Sequence, residues 1–172
     1  GEDKMAKADV STKILNVKLA NPTILASGIV GISGAACCYA AKNGAGAIVP
    51  KSIGPRDREG HNNPILVEFK GGFLNAVGLP NAGIDNSLGE IEFAMKNAGV
   101  PVIPSIFGGT KEEFGMVAEK MATLKPRMIE VNLSCPNTGS DFGEAFALSA
   151  ADAADVIRLV KSKTKVPIIA KL

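Results

Sequence analysis

The chain has 172 residues, of which 46% are apolar and 21% are charged, and 19 basic residues against 17 acidic ones leave a formal charge of +2. This balance argues against a nucleic-acid-binding arm and against a polybasic membrane patch, and no apolar stretch reaches the roughly 20 residues that a bilayer span needs. Three cysteines make no disulfide framework and favour a reducing compartment. The composition predicts a soluble cytoplasmic protein that contacts neither nucleic acid nor membrane.

Short apolar strands alternate with segments of helical periodicity along the chain. A hairpin is predicted over 12–19, followed by strands over 23–26, 47–50, 102–106, 128–133 and 167–172. Helices are predicted over 33–42, 84–95, 110–121 and 149–160, and Thr110 and Ser149 stand where N-terminal capping residues belong. The segment 52–72 has mixed charges and turn-forming residues, which predicts a long functional loop containing a hairpin.

Alternating strands and helices indicate an α/β fold with a parallel sheet. Five strands and four helices fit either a complete doubly wound sheet or the first part of a (β/α)8 TIM barrel, which usually takes about 250 residues. The last strand has no helix after it, and this favours the barrel. We treat residues 1–172 as a single domain that is part of a longer enzyme, and we interpret residues 1–4, ahead of Met5, as a cloning remnant.

The most informative motif directly follows a predicted strand and runs from Asn132 through Cys135 to Asn137. Working side chains in α/β folds lie at the ends of strands. A cysteine between two carboxamides can accept a proton beside a polar, planar ligand, although a free thiol titrates near ~8.5 and a basic role needs local help. The competing interpretation is a small buried apolar residue, and the motif leaves both open.

Three further segments are candidates for binding. Asn75 to Gly83 contains turn-forming residues ahead of a helix, and fixing that turn is a sufficient reason for them. Ala26, Ser27 and Gly28 are small enough to let the backbone approach a flat ligand. Lys51, at the end of the second strand, is a candidate positive charge for a carboxylate or a flavin ring, with a solvated lysine as the alternative.

In this order the chain carries NPTILASG, KSIGPRDREGHNNP, NAVGLPNAG, EVNLSCPN and VPIIAKL. These segments, spread over nearly the whole chain, resemble the dihydroorotate dehydrogenases of the soluble class 1 type. The resemblance implies an FMN-dependent (β/α)8 barrel, of which this chain covers about the first five strands and four helices. It also implies oxidation of dihydroorotate to orotate in pyrimidine biosynthesis. Cysteine at position 135 agrees with class 1, because the membrane-attached class 2 enzymes use serine as the base.

The resemblance assigns a role to each matching residue. Cys135 is the expected base, which removes the C5 proton of dihydroorotate while hydride leaves C6 for the flavin. The residues expected to bind the substrate are Lys51, Asn75, Gly78, Leu79, Asn132 and Asn137. The residues expected to contact FMN are Ala26, Ser27, Gly28, Lys51, Ser52, Asn132 and Lys171. No metal site is expected.

The sequence departs from the family pattern at two positions. Ser105 stands where the family often has asparagine, which puts that flavin contact in doubt, and His61, the only histidine, falls in a loop rich in turn-forming residues. The expected assembly is a homodimer, with an iron–sulfur/FAD electron-transfer subunit as a further candidate partner. Three thiols are too few to hold such a cluster in this chain. A uracil- or thymine-reducing dihydropyrimidine dehydrogenase domain and a non-catalytic flavin-binding half-barrel remain alternatives.

Overall fold

A computed structural model describes residues 8–135 and 145–172 of the chain. The interpretation of residues 1–4 and the expected role of Asn137 therefore lie outside the described residues. The strands are β1 (Thr12–Ile14), β2 (Val17–Leu19), β3 (Ile24–Leu25), β4 (Ala47–Ile48), β5 (Asp57–Arg58), β6 (Leu66–Phe69), β7 (Gly72–Asn75), β8 (Asn81–Ala82), β9 (Ser105–Ile106), β10 (Ile129–Asn132) and β11 (Ile168–Lys171). The helices are α1 (Gly34–Lys42), α2 (Gly83–Asn97), α3 (Lys111–Ala122) and α4 (Ala150–Lys163), and a 3₁₀ turn covers Phe146–Leu148.

The parallel strands follow one another in space in the order in which they occur in the chain. Strand β3 pairs with β4, and β9, β10 and β11 form a second parallel group with β10 in the middle. A parallel bridge between Ile48 and Val102 joins the two groups. A doubly wound sheet reverses its strand order at a switch point, whereas a (β/α)8 barrel does not. The sequential order fits a TIM barrel, and each parallel strand lies within its predicted segment.

Three of the four described helices, α1, α3 and α4, begin at a residue whose side chain caps them. Ser33, Thr110 and Ser149 each accept a hydrogen bond at their side-chain oxygen from the backbone N–H three residues further on, at 3.2 Å in each case. Glu113 departs from the reciprocal capping-box pattern, because its carboxylate accepts from the backbone N–H of Gly109 at 2.8 Å. These bonds satisfy N–H groups that a helix start otherwise leaves unpaired.

The outer and inner faces of the parallel strands make different contacts. On the outer face, Ile129 and Val131 pack against apolar residues of α3 and α4. On the inner face, an apolar cluster occupies the N-terminal end of the strands and includes two residues of β2; its members are Val17, Leu19, Ala47, Val49, Ile103 and Met128. The β1–β2 hairpin therefore closes that end of the sheet. Side chains alternate between faces along a strand, so Glu130 and Asn132 share the inner face.

An antiparallel insertion lies between β4 and α2. Strands β6 and β7 form a hairpin, and β5 pairs with β8. The hairpin confirms the one expected in the segment 52–72, but it continues to Asn75, beyond the predicted limit. The pairing of Asp57 with Ala82 was not predicted, because the two strands are far apart in the chain and each has only two residues.

Candidate functional site

A cavity of about 690 Å³ opens at the C-terminal ends of the parallel strands. Volumes of this size are typical of sites for small molecules, and this end of the strands is where α/β barrels place their working groups. Its lining comes from the ends of β3, β4, β10 and β11 and from the insertion: Ser27, Gly28, Ile29, Lys51, Ser52, Ile65, Leu66, Asn75, Val77, Gly78, Leu79, Asn132, Ser134, Cys135 and Lys171.

The cavity brings together nearly all of the residues that the sequence nominates. Each of them lines it except Ala26, which is exposed and lies next to Ser27, and Asn137, which lies outside the described part of the chain. Cys135 is half-buried and packs against the large core cluster. The apolar lining residues Ile29, Ile65, Leu66 and Val77 were not predicted, because nothing in their local sequence distinguishes them from core residues.

The loop over 75–83 is held by one asparagine side chain. Asn81 accepts hydrogen bonds from the backbone N–H groups of Gly54 (3.0 Å) and Gly83 (2.9 Å), and its amide donates to the carbonyl of Leu79 at 2.9 Å. Leu79 has a φ of 54°, a conformation that residues other than glycine rarely adopt. The Asn81 bonds therefore support a strained turn that presents Gly78 and Leu79 to the cavity.

Two residues of the insertion contact the same turn from outside. The Nε of Arg58 donates to the carbonyl of Gly78 at 2.6 Å. The backbone N–H of His61 donates to the carbonyl of Val77 at 3.1 Å, and a Cβ at position 78 would stand 2.8 Å from the His61 ring. Gly78 is therefore required for close packing as well as for its φ of 80°. His61 is an exposed loop residue beside the cavity and is not among its lining residues.

A continuous chain of polar groups, of which Ser52, Ser105 and Glu130 are buried, lies at the base of the cavity. Ser27 Oγ is 2.9 Å from Ser52 Oγ, which is 2.9 Å from Ser105 Oγ, and Ser105 donates to Glu130 Oε1 at 2.8 Å. The same carboxylate oxygen is 3.1 Å from Lys171 Nζ. Buried charges are tolerated only when they are paired and hydrogen-bonded, and Glu130 meets both conditions.

Asn132 joins this chain from the cavity side. Its Nδ2 donates to Ser52 Oγ at 3.3 Å, and its Oδ1 is buried without a hydrogen-bond partner among the described residues. A buried acceptor with no donor costs about 1–3 kcal/mol, so native proteins rarely leave one unpaired. Because Asn132 lines the cavity, a bound molecule is the natural source of the missing donor.

Glu130 and Ser105 belong to this network, although no sequence motif predicts a role for them there. A carboxylate in an otherwise apolar buried strand, such as Glu130, indicates a paired charge. The structure places Ser105 wholly buried, behind Ser52 and outside the cavity lining.

Two lysines give the cavity a positive character. Lys51 is half-buried, and burial is the main cause that holds its pKa below the ordinary value for lysine. A negative charge at Cys135 opposes this lowering of the pKa, whereas the positive charge of Lys171 adds to it. The cavity thus combines cations, carboxamides and one thiol, a set suited to a planar, anionic ring that exchanges a proton.

A second cavity, of about 580 Å³, lies at the opposite end of the strands. Its basic residues Lys18, Lys96, Lys125 and Arg127 are all exposed. The cavity at the C-terminal ends of the strands contains buried polar side chains, whereas the basic residues of the second cavity are all exposed. The first cavity is therefore the stronger candidate site.

Among the residues that the structure describes, no group of His, Cys, Asp and Glu side chains could hold a metal ion. None of the helices described here is long and apolar enough to cross a membrane.

Comparisons with known proteins agree on one family. The family model described as dihydroorotate dehydrogenase matches residues 9–172. The chain is 46% identical over 160 residues to the catalytic subunit of dihydroorotate dehydrogenase B (NAD(+)) from Methanosarcina mazei, covering 92% of this chain and 51% of the relative. It is 44% identical over 174 residues to the subunit of the same name from Methanocaldococcus jannaschii, covering 98% of this chain and 55% of the relative.

A solved structure supports the fold. The crystal structure of the Eimeria tenella dihydroorotate dehydrogenase in complex with ferulenol superposes with a TM-score of 0.72 at 17% identity, over 90% of this chain and 44% of that one. The chain spans about half the length of the curated relatives it matches. The α/β architecture with sequential parallel strands, the motifs at the cavity and these matches converge, and the chain belongs to the dihydroorotate dehydrogenase family, whose members are flavin-dependent.

Proposed function

We propose that the full-length protein oxidises dihydroorotate to orotate in pyrimidine biosynthesis, with FMN as the flavin. The observation that carries this proposal is the cavity in which Cys135, Lys51, Asn132 and Lys171 meet, in a chain of this family. The 172 residues would supply the first five strands and four helices of an eight-stranded barrel, because the chain covers 44% of the solved relative and about half of the curated ones.

The described residues fit a flavin and a pyrimidine carboxylate. Gly28 has a φ of 90° and open space where a side chain would be, so a flat ring can approach its backbone closely. Ser27, Ser52 and Lys171 would contact the flavin, and the buried Asn132 Oδ1 still needs a donor such as a ring N–H. Asn75, Gly78 and Leu79 would bind the substrate, with Asn137 as a further candidate. Bound flavin would supply a hydride acceptor for C6 of the substrate.

Cys135 would act as the base in this reaction. Its sulfur, as thiolate, would take the C5 proton of dihydroorotate, and the electron pair of the broken C–H bond would form the new C5–C6 double bond. Lys51 lines the same cavity as Cys135, and its positive charge would attract the substrate carboxylate. Lys171 would offset the negative charge that accumulates on a reduced flavin ring.

The names of the relatives and the cysteine positions support a separate electron-transfer partner. Both relatives are catalytic subunits of an NAD(+)-dependent enzyme, a name that implies a second subunit. We infer a homodimer that passes electrons to a separate iron–sulfur/FAD subunit. Cys37 and Cys38 lie in α1 and Cys135 lies at the cavity, so the three thiols would not supply the four ligands of a cluster. We place the enzyme in the cytoplasm.

The test is an absorbance spectrum of the full-length protein, followed by anaerobic addition of dihydroorotate. We expect a flavin band near ~450 nm that bleaches on addition and does not bleach with dihydrouracil. A flavin band that dihydroorotate leaves intact would contradict the proposal. Bleaching by dihydrouracil in preference to dihydroorotate would assign the site to a dihydropyrimidine dehydrogenase instead. Extraction of the cofactor and its mass would distinguish FMN from FAD.

A further inference from the structure

The polar chain beneath the cavity has a single consistent order of donors and acceptors. It begins at Glu130, whose carboxylate is paired with Lys171 at 3.1 Å and therefore only accepts hydrogen bonds. Ser105 lies 2.8 Å from the same carboxylate oxygen, so the hydroxyl hydrogen of Ser105 must point to Glu130. A serine hydroxyl has one hydrogen, so Ser105 can only accept from its other neighbour.

The order then passes through Ser52. Ser52 lies 2.9 Å from Ser105, and since Ser105 has no second hydrogen, Ser52 must donate to it. The hydrogen of Ser52 is now used, so its two remaining contacts must be donors to it. Ser27 donates from 2.9 Å, and the amide of Asn132 donates from 3.3 Å. The charge on Glu130 thus determines the direction of every hydrogen bond in the chain.

The last step is the orientation of the Asn132 carboxamide. An asparagine side chain can rotate by half a turn to exchange its oxygen and its NH₂ with little change in shape. The Ser52 hydroxyl can only accept a hydrogen bond from Asn132. Asn132 therefore takes the orientation in which its Nδ2 points toward Ser52. That choice leaves Oδ1 on the other side, buried and without a donor among the described residues.

We propose that Glu130, acting through Ser105 and Ser52, orients Asn132 so that its carboxamide oxygen accepts a hydrogen bond from a ring N–H of the bound ligand. Glu130 and Ser105 are then positioning residues that make the site selective for a donor at this point. The identity of the ligand rests on the proposed function, since both a dihydropyrimidine and a flavin ring carry N–H groups. The hydrogen-bond chain itself depends only on the described residues.

The test is a double-mutant cycle in the full-length, flavin-loaded enzyme. Asn132→Asp replaces the donor NH₂ by an oxygen of the same shape, which then faces a Ser52 hydroxyl that cannot donate to it. Ser105→Ala removes the acceptor of the Ser52 hydrogen and frees that hydrogen for the introduced carboxylate. We expect Asn132→Asp to weaken orotate binding at least about tenfold in the wild-type background. In the Ser105→Ala background, the loss of orotate affinity caused by Asn132→Asp should be smaller by a factor of at least about three.

Three readouts separate the possible outcomes. Orotate affinity reports a contact with the pyrimidine, flavin retention reports a contact with the flavin, and the urea midpoint of unfolding reports the hydrogen-bond chain without any ligand. If neither orotate nor flavin binds the parent protein, the proposed function fails, and the urea midpoints still decide on the chain. Equal penalties for Asn132→Asp in both backgrounds, in all three readouts, would overturn the inference.

Controls keep folding defects from imitating the result. Ser87 is buried and donates to the carbonyl of Gly83 at 2.7 Å within α2, so Ser87→Ala removes a similar hydroxyl away from the cavity. In the Ser87→Ala background, Asn132→Asp should cause the same loss of affinity and stability as in the parent. If Ser87→Ala reduced that loss as much as Ser105→Ala does, the proposed hydrogen-bond chain would be contradicted. If Asn132→Asp does not fold, Ser105→Ala should recover it, and failure to fold in both backgrounds also overturns the inference.

Discussion

The inner face of the parallel strands is apolar at the N-terminal end and polar at the C-terminal end. At the N-terminal end the inner face is apolar and closed, with Ile103 1% and Met128 0% exposed beneath Val17 and Leu19 of the hairpin. A short distance along the same strands, Ser105 and Glu130 are buried as well but polar. The segments 103–105 and 128–130 each pass from the apolar environment to the polar one within three residues.

This difference separates what stabilises the fold from what forms the site. Apolar burial is favourable without any directional requirement, but apolar interiors are closely packed. The N-terminal end should therefore tolerate only substitutions that preserve side-chain volume. Buried polar groups must each find a partner, so the C-terminal end is sensitive to single hydrogen bonds and charges. Substitutions at the two ends should therefore produce different kinds of defect.

The largest effect is expected at the polar end, from Cys135→Ala in the full-length enzyme. Removing the proposed base should lower kcat for dihydroorotate oxidation by about 10²–10⁴-fold, because general-base catalysis supplies a factor of this size. Orotate affinity and flavin content should remain near those of the parent. The measurement is anaerobic flavin reduction, and Cys38→Ala in α1 is the matched control. Activity above about a tenth of the parent value would show that Cys135 is not the base.

At the apolar end, Ile103→Ala should reduce stability and spare binding. Truncating a buried isoleucine costs about 2–5 kcal/mol, since the cavity adds to the lost transfer free energy. Urea unfolding measures the loss, and orotate affinity should stay within about twofold because Ile103 lies outside the cavity lining. Ser105→Ala, two residues further along the chain, should change affinity more and stability less. The reverse ranking would remove the distinction between the two ends.

A smaller effect is expected from Asn81→Ala in the turn that borders the cavity. The change leaves the N–H groups of Gly54 and Gly83 without their acceptor, at a cost of about 1–3 kcal/mol in unfolding free energy. The KM for dihydroorotate should rise with it, because Leu79 loses a support. Asn86→Ala, an exposed asparagine of α2, is the control and should stay within about 0.5 kcal/mol of the parent. An unchanged KM would show that the turn is held by other contacts.

The smallest effect is a pH dependence of stability that comes from the buried thiol of Cys37 in α1. Burial, with smaller contributions from Cys38 and Glu90, raises the pKa of Cys37 to about 11. An unfolded thiol loses its proton near ~8.5, so the Cys37 contribution to stability is complete below that pH and declines as the pH rises toward the folded-state pKa. Urea unfolding near neutral pH and about two pH units higher should show a larger loss for the parent than for Cys37→Ala. Equal losses would contradict the raised pKa.

Much of the architecture was predictable because its signals are local. Thr110 and Ser149 cap the helices as expected, and every predicted parallel strand is present. Most of the cavity residues were predictable from short motifs at strand ends and from a family resemblance, whereas the apolar lining residues Ile29, Ile65, Leu66 and Val77 were not. The pairing of β5 with β8 was not predictable, because two-residue strands carry too little pattern to identify a partner. The direction of the hydrogen bonds around Ser52 was equally out of reach, since it depends on a charge in another strand.

The sequence by itself determined where the parallel strands and the helices form and that polar residues gather at one end of those strands, because capping and alternation act within a few neighbouring residues. Only the tertiary structure decided that Glu130 pairs with Lys171, and that Ser105 and Ser52 connect this pair to Asn132. Those contacts join residues from different strands across the inner face of the sheet. A linear pattern cannot specify them, because their geometry exists only once the strands are packed side by side.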